Sequence, residues 1–420
     1  MLRSTVISLS ALLIGASILF VGHGIQSTLV PIWAHNAGFE ATTVGSLWSA
    51  YSAGLMLGCL TAGRVIEAVG HIRAFAALMS LIAVIVLTYT FYPFPAFWLL
   101  LRALHGFFIA GVFMIIESWL NEKTDDALRG VVLGIYTALT LVMIAVGQLS
   151  INLLDVFDPK LFSLAAILLM LAVVPVALTR AGIPGPVVSP SIDLVKLWRS
   201  GRVALIGSFC VGLTTSAFWG LGPVFARGVG FDTEGLTLFM SVTIFGGAVF
   251  QWLVGRVSDR MDRRHVIAVG SLIAAVAGLG IFFLAGQSLV LVLALSLVFG
   301  GFAFALQSLC VALGNDRAAP GDFVEIAGGL MFIYGLGSIL GPLFAATLVE
   351  FYLPEAIFVF TATIHLILAV TAVVMAAGRP AVPEGQKREY QAVPATSPEV
   401  FAIDPRGEQG EGAKRSDGLP

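Results

Sequence analysis

Apolar residues run along this chain in long unbroken stretches, separated by short polar breaks. A helix needs ~20 mostly apolar residues to cross a bilayer. Twelve stretches qualify, near 9–33, 43–66, 74–92, 97–120, 130–154, 161–179, 203–225, 236–254, 266–285, 289–313, 324–349 and 356–377. Most connections are short, so consecutive helices are expected to be antiparallel neighbours. Residues 182–201 break the pattern as a Pro-rich linker. Its second part, 192–199, reads as a short helix lying on the membrane face, with Leu194, Leu197 and Trp198 turned to the lipid. The segment 378–420 is rich in Pro, Gly, Glu, Lys and Arg and poor in large apolar residues, and is expected to be a disordered tail. The first few residues resemble a signal peptide. The apolar run then continues too long, with no small-x-small cleavage site, so the first span is expected to be retained.

The pattern repeats. PIWAHNAGFE from Pro31 matches PVFARGVGFD from Pro223, and GRVIEAVG from Gly63 matches GRVSDRMD from Gly255. Both pairs lie 192 residues apart (223 − 31 and 255 − 63), as do Ser49 and Ser241, and Gly54 and Gly246. The chain therefore divides into a six-helix half over 1–181, the linker, and a second six-helix half over 202–377. Parallel six-helix repeats are the mark of one transporter architecture, with the solute path between the halves. The expected fold class is an all-α membrane protein of twelve transmembrane helices in two pseudo-symmetric halves.

Composition removes the soluble alternative. Charged residues make up 11% of the 420, apolar ones 58%, and the mean hydropathy is +0.96. Soluble domains hold roughly a quarter charged residues. A net charge of −2 gives no electrostatic footprint for nucleic acid. Of the 23 Lys and Arg, only Lys160 and Arg227 fall in the loops on one side, and Arg102 falls within a span. Positive loops stay in the cytoplasm, so both termini are expected there, in the cell inner (cytoplasmic) membrane. Cys59, Cys210 and Cys310 stand alone in apolar runs and read as small buried residues, neither disulfides nor metal ligands.

Two loops carry chemistry. Gly63-x-x-x-Glu67-x-x-Gly70, followed by Arg73, closes the second span. Gly255-x-x-x-Asp259-Arg260-x-x-Arg263-Arg264 closes the eighth. The arrangement resembles the Gly-x-x-x-Asp-Arg-x-Gly-Arg-Arg hallmark of the major facilitator superfamily. Asp262 stands where that pattern has Gly, and Glu67 stands where it has Asp. A carboxylate at a helix end can meet the positive N-terminus of a helix from the other half, and Arg can clasp carboxylates. These nine residues are read as a gate that closes the cytoplasmic side. Basic residues that only fix topology would not need Gly and an acid at fixed spacing twice.

The resemblance extends further. Arg102-Ala103-Leu104-His105-Gly106 is similar to the superfamily's Arg-x-x-Gln-Gly motif, with His105 in place of Gln. It implies that Arg102 serves proton or substrate coupling. The alternative is a structural Arg tied to backbone carbonyls of the first span. The Glu117-Ser118-Trp119-Leu120-Asn121 string, and Arg129-Gly130-x-x-x-Gly134, resemble the YcaD-type branch. Glu117 reads either as a proton carrier or as a partner of Arg129 or Arg73. Proton-driven drug exporters of the superfamily carry Gly-Pro in the fifth span, where this chain has Gly147-Gln148. His23, Gln26, Phe218, Trp219, Gln251 and Gln307 are the candidate solute-binding residues, as polar or aromatic groups inside spans.

The expected function is secondary active transport of a small organic solute by alternating access, coupled to protons or another ion. No Asp or Glu falls in the middle of a span, which favours a neutral or anionic solute. A proton-driven drug or metabolite exporter is the alternative within the class. A non-transporting membrane sensor is the alternative outside it, but would be expected to carry a folded signalling domain. An enzyme would need a cluster of nucleophile, base or metal ligands in the spans, and the sequence offers none. Neither cofactor nor metal is expected, and the chain is expected to act as a monomer in the bilayer.

Overall fold

In lipid every backbone polar group must be satisfied within the protein, so apolar spans fold as helices or closed barrels. The computed structural model of this chain takes the helical solution. It describes residues 2–125, 128–178, 193–319, 322–378, 380, 382–383, 387 and 389–402. The first half consists of α1 (Leu2–Asn36), α2 (Ala41–Val69), α3 (His71–Thr88), α4 (Pro95–Lys123), α5 (Arg129–Ser150), α6 (Lys160–Leu171) and α7 (Val173–Ala177). A short α8 (Leu194–Ser200) precedes the second half, which consists of α9 (Arg202–Gly228), α10 (Thr233–Arg260), α11 (Arg263–Leu284), α12 (Leu289–Asn315), α13 (Phe323–Phe351) and α14 (Ala356–Ala377). Among the described residues, twelve spans are long and apolar enough to cross a membrane, α6 and α7 together making the sixth. The sixth span is broken between α6 and α7. Pro175 lacks the N–H that would reach the carbonyl of Leu171 and its ring crowds that carbonyl, so the chain turns at Ala172. For orientation, the end that carries Arg64, Lys123, Arg256 and Arg260 is the basic end, and the end that carries Asn36, Glu40 and Arg227 is the opposite end.

The repeat is visible in the packing. Apolar side chains gain little by leaving lipid for protein, so membrane helices approach where small residues let backbones touch. In the first half α2 crosses α4 at Gly54 and Gly106, and a Cβ on Gly54 would fall 1.9 Å from the carbonyl oxygen of Ala103. In the second half α10 crosses α12 at Gly246 and Gly300, where a Cβ on Gly246 would fall 2.1 Å from the Leu297 oxygen. The crossing of α1 and α5 at Gly24 and Gly147 is likewise repeated by α9 and α13 at Gly212 and Gly337. Replacing Gly54 by Ala therefore pushes α2 off α4. The expected loss is about 1–3 kcal/mol, as for other overpacked sites. Gly134→Ala, on the exposed face of α5 with nothing within 4 Å, is expected to be neutral or stabilising. Melting of the detergent-solubilised variants checks this, and equal melting temperatures would contradict it.

The short helix expected at 192–199 is α8. Asp193 caps it, accepting from the backbone N–H groups of Val195 and Lys196 at 2.9 and 3.0 Å. Leu197 is buried against Gly329 of α13. Trp198 is exposed with Arg202 over its ring. The side chain of Leu194, like linker residues 182–192, lies outside the described residues. Lys196 pairs with Glu325 and, at 2.9 Å, with Asp322. Hydrogen bonds to Glu325 and then Asp322 raise its pKa above the ordinary lysine value.

Candidate functional site

A cavity of about 220 Å³ lies between the halves. The first half lines it with Phe20, His23, Trp48, Tyr51, Ser52, Phe113, Thr137 and Thr140, and the second half with Thr215, Trp219, Gln251, Phe304, Gln307, Tyr334 and Ser338. The wall is therefore aromatic, with hydroxyl, amide and imidazole groups set into it. Trp48 and Trp219, one from each half, stack with centroids 5.8 Å apart and rings within 5° of parallel.

Toward the opposite end the halves touch. Ser52 and Ser338 share a hydrogen bond of 3.0 Å between hydroxyls. Further out, Gly45 of α2 lies against Pro342 and Ala346 of α13. The Glu350 carboxylate accepts from the backbone N–H groups of Ala41 and Thr42. On the far side of the cavity Asn152 donates to the Thr237 hydroxyl at 2.7 Å, and Ser241 donates to the carbonyl of Ala145 at 3.3 Å. This seam closes the cavity on that side.

On the basic end the cavity is floored by a segment expected to be disordered. Residues 389–402 of the tail do not behave that way: they run between the halves, and Val393, Thr396, Ser397, Val400 and Phe401 are buried. Val393, Pro394, Ala395, Thr396 and Pro398 line the cavity. The rest of the tail, 403–420, lies outside the described residues. Burial of Val393, Val400 and Phe401 and partial burial of Tyr390, together with hydrogen bonds to both halves, offset the entropy of ordering the segment.

Four of the six expected solute-binding residues line the cavity: His23, Trp219, Gln251 and Gln307. Two do not. Phe218 is 1% exposed and packs among Phe239, Phe299 and Phe304, because one residue along a helix is a turn of about 100° and separates it from Trp219. Gln26 is fully buried and accepts a hydrogen bond from the Arg102 guanidinium at 3.3 Å. The structural alternative ties Arg102 to backbone carbonyls of the first span; the bond found goes to a side chain of that span instead. The guanidinium also lies over the rings of Tyr51 at 4.8 Å and Trp48 at 5.5 Å. His23, His105 and Tyr51 form a triangle beside it, with ring centroids 5.7–6.1 Å apart. Arg102 Nε, both nitrogens of His105 and Nδ1 of His23 are buried with no hydrogen-bond partner among the described residues. Such groups normally hold water when they lack protein partners. The cluster thus runs from His23, on the cavity wall, to Arg102 and Gln26 behind it.

Glu117 is fully buried at the basic end of α4. Tyr136 donates to it at 3.2 Å, and the hydroxyls of Thr396 and Ser397 meet its two oxygens.

The gate loops differ in detail. Gly70 has φ +89°, a conformation that L side chains rarely adopt, and it ends α2 by donating to the carbonyl of Ile66 at 2.8 Å. Its counterpart Asp262 has φ −59° and instead caps α11, accepting from the Arg264 N–H at 3.0 Å. This is why an acid can stand where the hallmark has Gly. Burial alone would raise the Asp262 carboxyl, but hydrogen bonds from Arg264 and its charge hold it below the ordinary range. Arg263 is buried and ties three helices of its own half: it reaches Asp316 at 2.8 Å, Ser258 at 2.8 Å and Asp259 at 3.0 Å. Arg264 bonds Asp262 and the carbonyls of Met375 and Ala376. Asp259 also accepts the backbone N–H of Tyr390, in the tail, at 3.0 Å. Glu67, Arg73 and Arg260 are exposed, and Gly63 and Gly255 are buried. These contacts of Arg263, Arg264 and Asp259 stay within the second half or reach the tail.

Cys59, Cys210 and Cys310 are buried and free. Among the described residues no three His, Cys, Asp or Glu gather as a metal site. The residues missed from sequence are Trp48, Tyr51, Ser52, Thr137, Thr140, Thr215, Tyr334 and Ser338. The aromatic and hydroxyl character of Trp48-x-x-Tyr51-Ser52 was a usable signal, since i and i+3 share a helix face.

The family model of the Major Facilitator Superfamily matches residues 12–335 and again 204–406. The chain belongs to the major facilitator superfamily. Its relatives include an MFS-type transporter of Enterobacter sp. (strain 638), 25% identical over 365 residues, covering 85% of this chain and 92% of the relative. The MFS-type transporter YcaD of Escherichia fergusonii is 23% identical over 359 residues, with the same coverage. Both carry names without a solute. Among solved structures, the nucleoside transporter NupG superposes with a TM-score of 0.73 at 16% identity, over 88% of this chain and 98% of its own. Major facilitator proteins sit in membranes and carry small solutes, and the chain is a multi-pass membrane protein of that architecture.

Proposed function

We propose that this chain is a secondary transporter of the cytoplasmic membrane that moves a small neutral or anionic organic solute by alternating access, coupled to protons. The reading rests on one observation: a cavity with an aromatic wall and hydroxyl and amide groups set into it, at the interface of two repeated halves, with a seam of direct contacts on one side of it. Rocking the halves about that cavity would open the seam and close the basic end. The basic end faces the cytoplasm, following the distribution of Lys and Arg. There Glu67, Asp259, Arg260, Arg263 and Arg264, with Gly63, Gly70, Arg73 and Gly255 shaping the loops, clasp when the seam opens. Arg102, with His23 and His105 beside it, serves coupling.

The solute follows from the wall. His23, Gln251, Gln307 and the Ser, Thr and Tyr hydroxyls both donate and accept hydrogen bonds, and Trp48 and Trp219 offer a platform for a planar ring. The nucleoside carried by NupG has both features. Transport by purified protein in proteoliposomes tests this, with a nucleoside, an aromatic carboxylate and a lipophilic cation of similar size. Saturable transport of either of the first two, slowed by Asp259→Asn without loss of insertion, is the expected result. Saturable transport of the cation alone, abolished by Glu117→Gln, would favour the drug-exporter reading instead, with Glu117 as its counter-charge.

A further inference from the structure

Residues 389–402 contact both halves of the protein at once. On the first half, the Thr137 hydroxyl donates to the carbonyl of Ala392 at 3.1 Å, and Thr396 and Ser397 meet Glu117. On the second half, the N–H of Tyr390 reaches Asp259 at 3.0 Å, and its ring packs on Gly255, where a Cβ would fall 2.2 Å from a ring carbon. Val393 both donates to and accepts from Ser308 of α12, at 3.2 and 3.3 Å. Lys387 donates to the carbonyl of Met261 at 2.6 Å. Ser397 and Val400 are fully buried. The segment enters the space between α4 and α5 on one side and α10 and α12 on the other, and forms one wall of the solute cavity.

We propose that residues 389–402 are a tethered plug that seals the cytoplasmic mouth of the cavity, with Glu117 as its latch, so that the solute exchanges on that side only when the plug leaves. The proposal rests on the reading that the basic end is the cytoplasmic one. Three features support it. The plug satisfies polar groups on both halves with its own hydroxyls and backbone, as a solute would. It takes Asp259 of the gate loop, so the cytoplasmic clasp can form only after it withdraws. And it is attached to the chain, so its local concentration is on the order of millimolar without any external supply. A plugged fraction lowers the apparent affinity for cytoplasmic solute in proportion. The plug is therefore an autoinhibitory element that anything binding or modifying the tail could release.

Cys59 is a built-in reporter. It lines the cavity, whereas Cys210 and Cys310 do not. The test is the rate at which a membrane-impermeant maleimide labels Cys59 from the cytoplasmic face of inside-out vesicles, with Cys210 and Cys310 replaced by Ala. Three full-length or shortened proteins are compared: the parent, Thr396→Ala/Ser397→Ala, and a chain ending at 388. Removing two hydrogen bonds to a carboxylate is expected to speed labelling at least about tenfold. The shortened chain should label at least as fast, and adding a peptide of residues 389–402 should slow it again. If the shortened chain does not insert, the double variant decides alone. Equal labelling rates in the parent and the double variant would overturn the proposal. A lower melting temperature with unchanged labelling would show a structural brace and would overturn it equally. Labelling needs no transported solute, so failure of the plug is distinguishable from failure of the transporter reading.

Discussion

Gradient-driven transport should fall at least about tenfold in both Arg102→Lys and Arg102→Ala, while exchange of solute across the membrane without a gradient is retained in the Lys variant. Arg102 is 1% exposed and sits in a span, where a charge costs roughly 2.5–3.5 kcal/mol even on insertion scales. The chain keeps it through three contacts: the bond to Gln26 and the approach of the guanidinium to the faces of Tyr51 and Trp48. An ammonium is a compact, strongly hydrated point charge on a shorter side chain, and cannot donate to Gln26 and lie over both rings in the same geometry. Ala removes the charge and leaves the Gln26 oxygen buried and unpaired, which costs about 1–3 kcal/mol in itself. Tenfold in rate corresponds to about 1.4 kcal/mol, within the range of about 1–3 kcal/mol for one buried group left unpaired. Loss of gradient-driven transport with retained exchange marks a coupling role. Loss of both in the Lys variant marks a binding role, and wild-type rates in both variants would show that Arg102 serves neither.

What the sequence made legible is what lipid enforces. Apolar runs had to be helices, the equal offset of Pro31/Pro223 and Gly63/Gly255 exposed the halves, and Gly-x-x-x-acid at two loops marked the superfamily. The glycine crossings follow the same logic, since Gly54 and Gly246 were already matched in the repeat before their close approach to α4 and α12 was known. The cavity was legible only in part. Phe218 and Trp219 are adjacent in sequence, yet one is buried in an aromatic core and the other lines the cavity. Helix rotation decides which, and composition does not encode it. Gln26 reads as a ligand because it is polar in a span, while its partner Arg102 lies 76 residues away. The tail was the largest miss. Its four large apolar residues between Tyr390 and Phe401 are spaced among prolines without helical or strand period. They gain from burial only against a mouth assembled by both halves, so no local pattern announces them.

The seam between the halves is the part of the structure on which alternating access depends. Ser52 and Ser338 face each other at 3.0 Å between hydroxyls, from the two halves, on the side of the cavity away from the plug. Cysteines at both positions should oxidise to a disulfide after a small adjustment, since the S–S bond is about 2.0 Å long. With Cys59, Cys210 and Cys310 replaced by Ala, no other thiol competes. The bond would hold the seam shut and leave the rest of the fold as it is. The decisive measurement is solute transport by this double-cysteine protein in proteoliposomes, oxidised and then reduced in the same preparation, with the extent of cross-linking read on a gel. Transport is expected to stop in proportion to the fraction cross-linked and to return on reduction. A fully cross-linked protein that transports at the reduced rate would contradict it, because the cavity would then be reached without parting the halves.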